Sequence, residues 1–198
     1  MLDAALIKEC ADPSLKPAII EQFIAAVGSS DPLAITVRSG DRLILVPRPR
    51  NAQEAIEIVR QNIGGSVVRV GLTQFPVGGE VVDDATRITD LVDPCTNLRM
   101  GTAMFAKVLR IVARWYGNPT NVDVFPQLFD DAIHAWRTGR FDGENVFQTE
   151  DPGVDVMQER LSSQTVVVGE GEAFGEGIER GRPGDAGIRV DLSRIQPL

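Results

Sequence analysis

The chain has 198 residues, 43% of them hydrophobic, enough for one substantial domain with appendages. Twenty-eight acidic residues against twenty basic ones give a net charge of -8, which argues against a dedicated nucleic-acid binder, whose affinity comes largely from neutralising phosphates. No stretch approaches the run of about 20 apolar residues that spans a bilayer, and Met1 to Cys10 lacks the basic region and apolar run of a secretory signal, so the sequence as written reads as cytoplasmic.

Taken in chain order, Asp12-Pro13 reads as a helix start, a capping side chain followed by proline at the first helical position. Leu15, Ile19, Phe23 and Val27 then recur at intervals of four and predict one buried face, with Gly28 ending the helix. Ala34 to Arg38 and Leu43 to Val46 flank Ser39-Gly40-Asp41 and predict a hairpin closed by Pro47 and Pro49. Asn51 and Glu54 are spaced as a capping box for a helix with Ala55, Val59 and Ile63 inward, stopping at Gly64-Gly65. Ser66 to Leu72 is a short apolar run.

Asp93-Pro94 repeats the start signal and opens the longest helix, with Met104, Phe105, Val108, Ile111, Val112 and Trp115 on one side and Gly117 and Pro119 at its end. A last helix from about Pro126 turns Leu128, Ala132, Ile133 and Trp136 inward and ends at Gly139. The folded domain is expected to span 1–150. From Asp151 onward there are nine acidic and five basic residues, no lysine, eight glycines and one aromatic residue, Phe174, which predicts an acidic, glycine-rich, disordered tail over 151–198. Val166 to Val168 and Gly187 to Ile195 are its apolar patches, each able to add a strand to a partner or to the domain itself. Glu170, Glu172 and Glu176 thread the glycines of 169–177, so no phosphate loop is read there.

Chemistry-bearing residues are sparse. Two cysteines and one histidine suffice for neither a disulfide framework nor a four-ligand zinc site, so no metal and no cofactor are expected. By composition alone both cysteines read as small buried side chains. Arg99, Lys107, Arg110 and Arg114 form a basic stripe on the long helix, read as a solvated face. Asp130, Asp131 and His134 share one side of the last helix in the manner of a metal or proton-transfer pair, and Cys95 with His134 offers a nucleophile and a base, but no motif completes either set.

Five segments in order resemble the lysozyme-like lytic transglycosylases of type IV secretion systems. They are Cys10-Ala11 with Asp31-Pro32-Leu33-Ala34-Ile35; the hairpin leading to Glu54-Ala55; Val70-Gly71-Leu72-Thr73-Gln74-Phe75; Asp93-Pro94-Cys95-Thr96-Asn97-Leu98-Arg99; and Trp136-Arg137-Thr138-Gly139 with Phe141-Asp142-Gly143. More narrowly, the opening and Gly28-Ser29-Ser30-Asp31-Pro32-Leu33 resemble the small TraH family of conjugal transfer proteins. The resemblance implies an α+β, mostly helical, lysozyme-like fold with a small β-hairpin or sheet region, a Cys10–Cys95 disulfide, and a glycan groove drawn from Gly71, Gln74, Trp136, Arg137 and Thr138.

It also implies a loss. The catalytic glutamate of the active family falls here on Val27, and an isopropyl group cannot protonate a glycosidic oxygen. Glu21 lies six residues earlier on another helix face, and Pro76, Trp136 and Arg137 replace further family residues. The expectation is a noncatalytic conjugal transfer or type IV secretion accessory protein, a pseudo lytic transglycosylase, that binds a peptidoglycan glycan strand or another transfer component. No direct nucleic-acid contact and no membrane span are expected, and the family role would place it in the periplasm. Two rivals are an active transglycosylase using a displaced acid, Glu21 or Asp31, and a cytoplasmic interaction module with an acidic tail.

Overall fold

The computed structural model describes residues 3–40, 42–78 and 85–153, all within one unit that spans Met1–Gln164. The expectations for the 151–198 tail fall outside the described residues beyond Gly153. Helix α1 (Ala4–Cys10) starts where the Asp3 side chain accepts the Ala5 N–H at 2.9 Å. Helix α2 runs Pro17–Val27, four residues later than Asp12-Pro13 suggests. The Asp12 carboxylate instead accepts the Ser14 N–H and closes a local turn, and a helix begun at Pro13 would carry Pro17 inside it, where the missing N–H and the ring are both unfavourable. On α2 the fully buried residues are Ile20 and Phe23, with Ile19, Ile24 and Val27, and Leu15 of the preceding turn, packed partly against the core.

Strands β1 (Ile35–Ser39) and β2 (Arg42–Ile44) form the hairpin, and α3 spans Ala52–Asn62. The Asn51 side chain accepts the Glu54 N–H at 2.9 Å, while the Glu54 carboxylate reaches one residue further back, to the Arg50 N–H. Strands β3 (Val67–Val70) and β4 (Phe75–Val77) complete an antiparallel sheet in the order β2-β1-β3-β4. Val37 faces Val68, and Val68 faces Val77, so one sheet face is an apolar row turned to the core; Thr36, Arg38 and Arg69 alternate onto the other. Pro76 lies on the edge strand β4, where proline's missing N–H leaves no gap in a ladder.

Helix α4 (Ala85–Leu91) precedes α5 (Pro94–Trp115), which Asp93 caps through the Thr96 N–H at 2.8 Å. Its buried face, Leu98, Phe105, Val108, Leu109 and Val112, forms the spine of the domain. Trp115, expected inward, is 58% exposed, with its indole N–H donated to Asp142 at 2.8 Å. Helix α6 (Phe125–Thr138) ends at Gly139, whose φ of 75° is the left-handed turn that glycine adopts without cost. Short strands β5 (Arg140–Phe141) and β6 (Glu144–Asn145) follow. The result is an α+β, mostly helical domain with a small antiparallel sheet.

The main core closes around Trp136, which meets Phe23, Phe75, Phe105 and Phe147 edge-on at centroid distances of 5.1, 6.4, 6.1 and 5.5 Å. A smaller cluster of Ile7, Cys10, Ile20 and Leu98 joins α1 to α2 and α5. There Cys10 and Cys95 are joined by a disulfide, Cα to Cα 5.0 Å.

Candidate functional site

The segment Val70 to Phe75 turns β3 into β4 inside the protein rather than at its surface: every residue from Gly71 to Val77 is buried. A buried turn must find internal partners for its backbone, and one buried side chain supplies two of them. Asn97, 1% exposed on the first turns of α5, accepts the Thr73 N–H at 3.0 Å and the Thr73 hydroxyl at 2.9 Å through Oδ1. Its Nδ2 donates to the Val70 carbonyl at 3.0 Å and the Leu91 carbonyl at 2.9 Å. All the hydrogen-bonding capacity of the amide is thereby used within the fold. Gly71, at φ 76°, passes so close that a Cβ there would lie 2.3 Å from Asn97 Nδ2. Thr73 packs equally closely on Gly101 of α5, and the Leu72 carbonyl accepts the Ser29 N–H just beyond α2.

The groove residues named from the sequence collect around this turn, but as parts of a latch. Gln74, at φ 51° and 8% exposed, accepts the Thr36 hydroxyl at 2.7 Å and donates to the Gly71 carbonyl at 3.0 Å. Trp136 is fully buried with rings packed around its indole, the inward position that the helix periodicity predicts, which corrects its inclusion in the groove: no ring face is left for a sugar. Its indole N–H, buried with no hydrogen-bond partner, adds no recognition. Arg137 donates to the Ala26 carbonyl at 2.6 Å, tying the end of α6 to the end of α2. Thr138 is exposed, and its hydroxyl donates back to the His134 carbonyl at 2.9 Å. Val27 is the last residue of α2, half-buried against the main core, and Glu21 is exposed two turns earlier.

One residue that the sequence reading passed over binds these pieces. Arg69, directly opposite Thr36 on the outer sheet face, donates to the carbonyls of Gln74 at 3.1 Å, Trp136 at 2.6 Å and Arg137 at 3.0 Å. Its charge is compensated by the negative end of α6 rather than by a carboxylate. Burial, with repulsion from Arg38 added, brings its pKa down to about 10, so it remains charged at neutral pH. The alternation of Val68, Arg69 and Val70 is the sequence signal that could have placed this arginine on the outer face.

The carboxylate nearest in sequence to the end of α2 is Asp31. It accepts the Leu33 N–H at 3.0 Å and pairs with Arg48 at 2.8 Å; the Leu33 N–H above all, opposed by burial and aided by the guanidinium, holds it below the usual carboxylate range. A general acid for glycoside cleavage needs the opposite, a carboxyl kept protonated. Cys95 carries no thiol, which removes the Cys95–His134 nucleophile and base, and Asp131 is engaged by the Tyr116 hydroxyl at 2.6 Å. Among the described residues no group of three His, Cys, Asp or Glu side chains is arranged to hold a metal ion. The basic stripe on α5 is less solvated than expected. Lys107 donates to the Phe147 carbonyl at 3.0 Å and Arg110 grips Asp151 through two bonds, so both fasten the segment after β6.

An open groove of about 590 Å³ runs between Gln22, Ala25 and Ala26 of α2 and Phe125, Pro126, Phe129 and Asp130 of α6. None of the groove residues named from the sequence lines it.

The sequence model of the TraH_2 family matches residues 1–196, nearly the whole chain. The uncharacterized protein y4dP of Sinorhizobium fredii (strain NBRC 101917 / NGR234) is 58% identical over 199 residues, covering 98% of each chain. No solved structure matches. The protein therefore belongs to the TraH_2 family, whose members are related to conjugal transfer.

Proposed function

We propose that this TraH_2 protein serves conjugal transfer as a noncatalytic component that binds the glycan strand of peptidoglycan on the periplasmic side, on a lysozyme-like scaffold that has lost its acid. One observation carries the reading: where the resemblance asks for a glutamate, Val27 packs against the core, and the adjacent carboxylate, Asp31, is held ionised by the Leu33 N–H and Arg48. Neither can donate a proton to a glycosidic oxygen at neutral pH. The Cys10–Cys95 bond supports an oxidising compartment. The open groove between α2 and α6, mostly apolar with Gln22 and Asp130 in its lining, offers a concave surface beside the end of α2 for a sugar chain.

The test is co-sedimentation with purified peptidoglycan sacculi. The proposal expects saturable binding that Ala25→Trp, which fills the groove, abolishes without lowering thermal stability. Failure to sediment, or sedimentation indifferent to that change, would sink it.

A further inference from the structure

The β1–β2 hairpin is out of character with the rest of the protein. Residues 38–50 hold Arg38, Arg42, Arg48 and Arg50 against one acidic residue, Asp41, in a chain of net charge -8. Among the described residues, four of the six large hydrophobic side chains that stand exposed belong to this corner: Leu43 at 59%, Ile44 at 37%, Leu45 at 91% and Val67 at 52%. The register makes the mixture continuous. Arg38 pairs across the sheet with Leu43 on one side and Val67 on the other, so an exposed arginine sits between two exposed apolar residues in a single row. Arg42 and Arg50 are exposed at the margins, and Arg48, although paired with Asp31, keeps 83% of its side chain in solvent.

We propose that this hairpin is a membrane-surface contact that inserts Leu43 and Leu45 at the headgroup boundary of an anionic bilayer while Arg38 and Arg42 engage lipid phosphates. A lipid surface satisfies both halves of the patch, apolar contact for the leucines and negative charge for the arginines. Two other occupants fit less well. A second copy of the chain docking symmetrically would bring Arg38 and Arg42 against their own counterparts. A partner peptide adding to β2 would find a strand of three residues cut short by Pro47 and Pro49. No described helix is long and apolar enough to cross a membrane, so the contact is peripheral. The overall negative charge does not forbid it, because at physiological salt, charges more than about 8 Å away are largely screened while those of the hairpin are at the surface.

The experiment is co-sedimentation of the full chain with vesicles of equimolar phosphatidylglycerol and phosphatidylcholine, set against vesicles of phosphatidylcholine alone. Binding to the anionic vesicles is expected, falling as salt is raised, with much weaker binding to the neutral ones. Leu43→Ser with Leu45→Ser should weaken it about tenfold or more, and Arg38→Gln with Arg42→Gln by on the order of tenfold or more. All four side chains are exposed, so both double variants should melt like the parent. Absence of binding to anionic vesicles, or equal partition of parent and variants, overturns the proposal. So does a dimer seen by light scattering that the leucine changes abolish while vesicle binding is absent.

Discussion

Replacing Asn97 by alanine should be among the most damaging single changes in this protein. The substitution strips a partner from the Thr73 N–H, the Val70 carbonyl and the Leu91 carbonyl, all held at 2.9–3.0 Å. Each buried group left unsatisfied costs about 1–3 kcal/mol. The Thr73 hydroxyl keeps a weak alternative in the Asn97 carbonyl at 3.5 Å, and a water molecule can enter the vacated space, so the expected loss is about 3–5 kcal/mol rather than the full sum. That is a large share of the 5–15 kcal/mol typical of a domain. Urea unfolding followed by circular dichroism measures it, with Asn62→Ala as control. Asn62 makes one bond, to the Ile58 carbonyl at 2.8 Å, and its loss should cost no more than about 1 kcal/mol. Asn97→Asp adds an internal check: a carboxylate retains the Thr73 N–H but opposes two carbonyls, so this variant should gain stability as the pH is lowered and the carboxyl becomes a donor. An Asn97→Ala penalty below about 1 kcal/mol would refute the view that this side chain locks the turn to α5.

Three further outcomes follow from the same contacts. Removing the Cys10–Cys95 bond, by Cys10→Ala with Cys95→Ala, frees a loop of 85 residues and should lower stability by about 4–5 kcal/mol in the chain-entropy account, read from the urea midpoint. Gly71→Ala combines a φ of 76° with a Cβ 2.3 Å from Asn97, and should cost about 2 kcal/mol or more or fail to express in folded form. Asp93, held by the Thr96 N–H, Asp31, held by the Leu33 N–H, and Asp151, held by Arg110, all ionise below the usual 3.8. Because their folded values are depressed, their contribution is present above 3.8 and lost as pH falls through the lower folded values. The urea midpoint should therefore hold steady from neutral pH to about 5 and drop below about 4, less steeply in Asp93→Asn; a midpoint that rises in acid contradicts this.

Local signals made much of the fold legible. Asp93-Pro94 marks the start of α5 because a capping carboxylate and a first-turn proline act within three residues, and Gly139 marks the end of α6 through its own φ. Asn51 and Glu54 announce α3 in the same way. What escaped depends on competition or on distance. Asp12-Pro13 carries the same signal as Asp93-Pro94, yet Pro17 four residues on excludes a helix through it. Strand β4 was hidden by Pro76, and Trp115 was assigned inward by periodicity although the last turn of α5 runs past the core. The site was less legible than the fold. Asn97 stands in the Asp93 to Arg99 segment without a role in the sequence alone, because its partners in the turn lie 24 and 27 residues away, and Arg69 contacts carbonyls 67 and 68 residues distant.

The end of α2, the Gly71–Gln74 turn and the end of α6 are tied together as a latch, and on the proposed reading this latch does no chemistry. Incubating the purified, disulfide-bonded protein with peptidoglycan and analysing the soluble fraction by mass spectrometry tests it most directly. No anhydro-sugar products above a boiled control are expected. Release of such products, abolished by Glu21→Gln or Asp31→Asn, would contradict it and establish a displaced-acid enzyme.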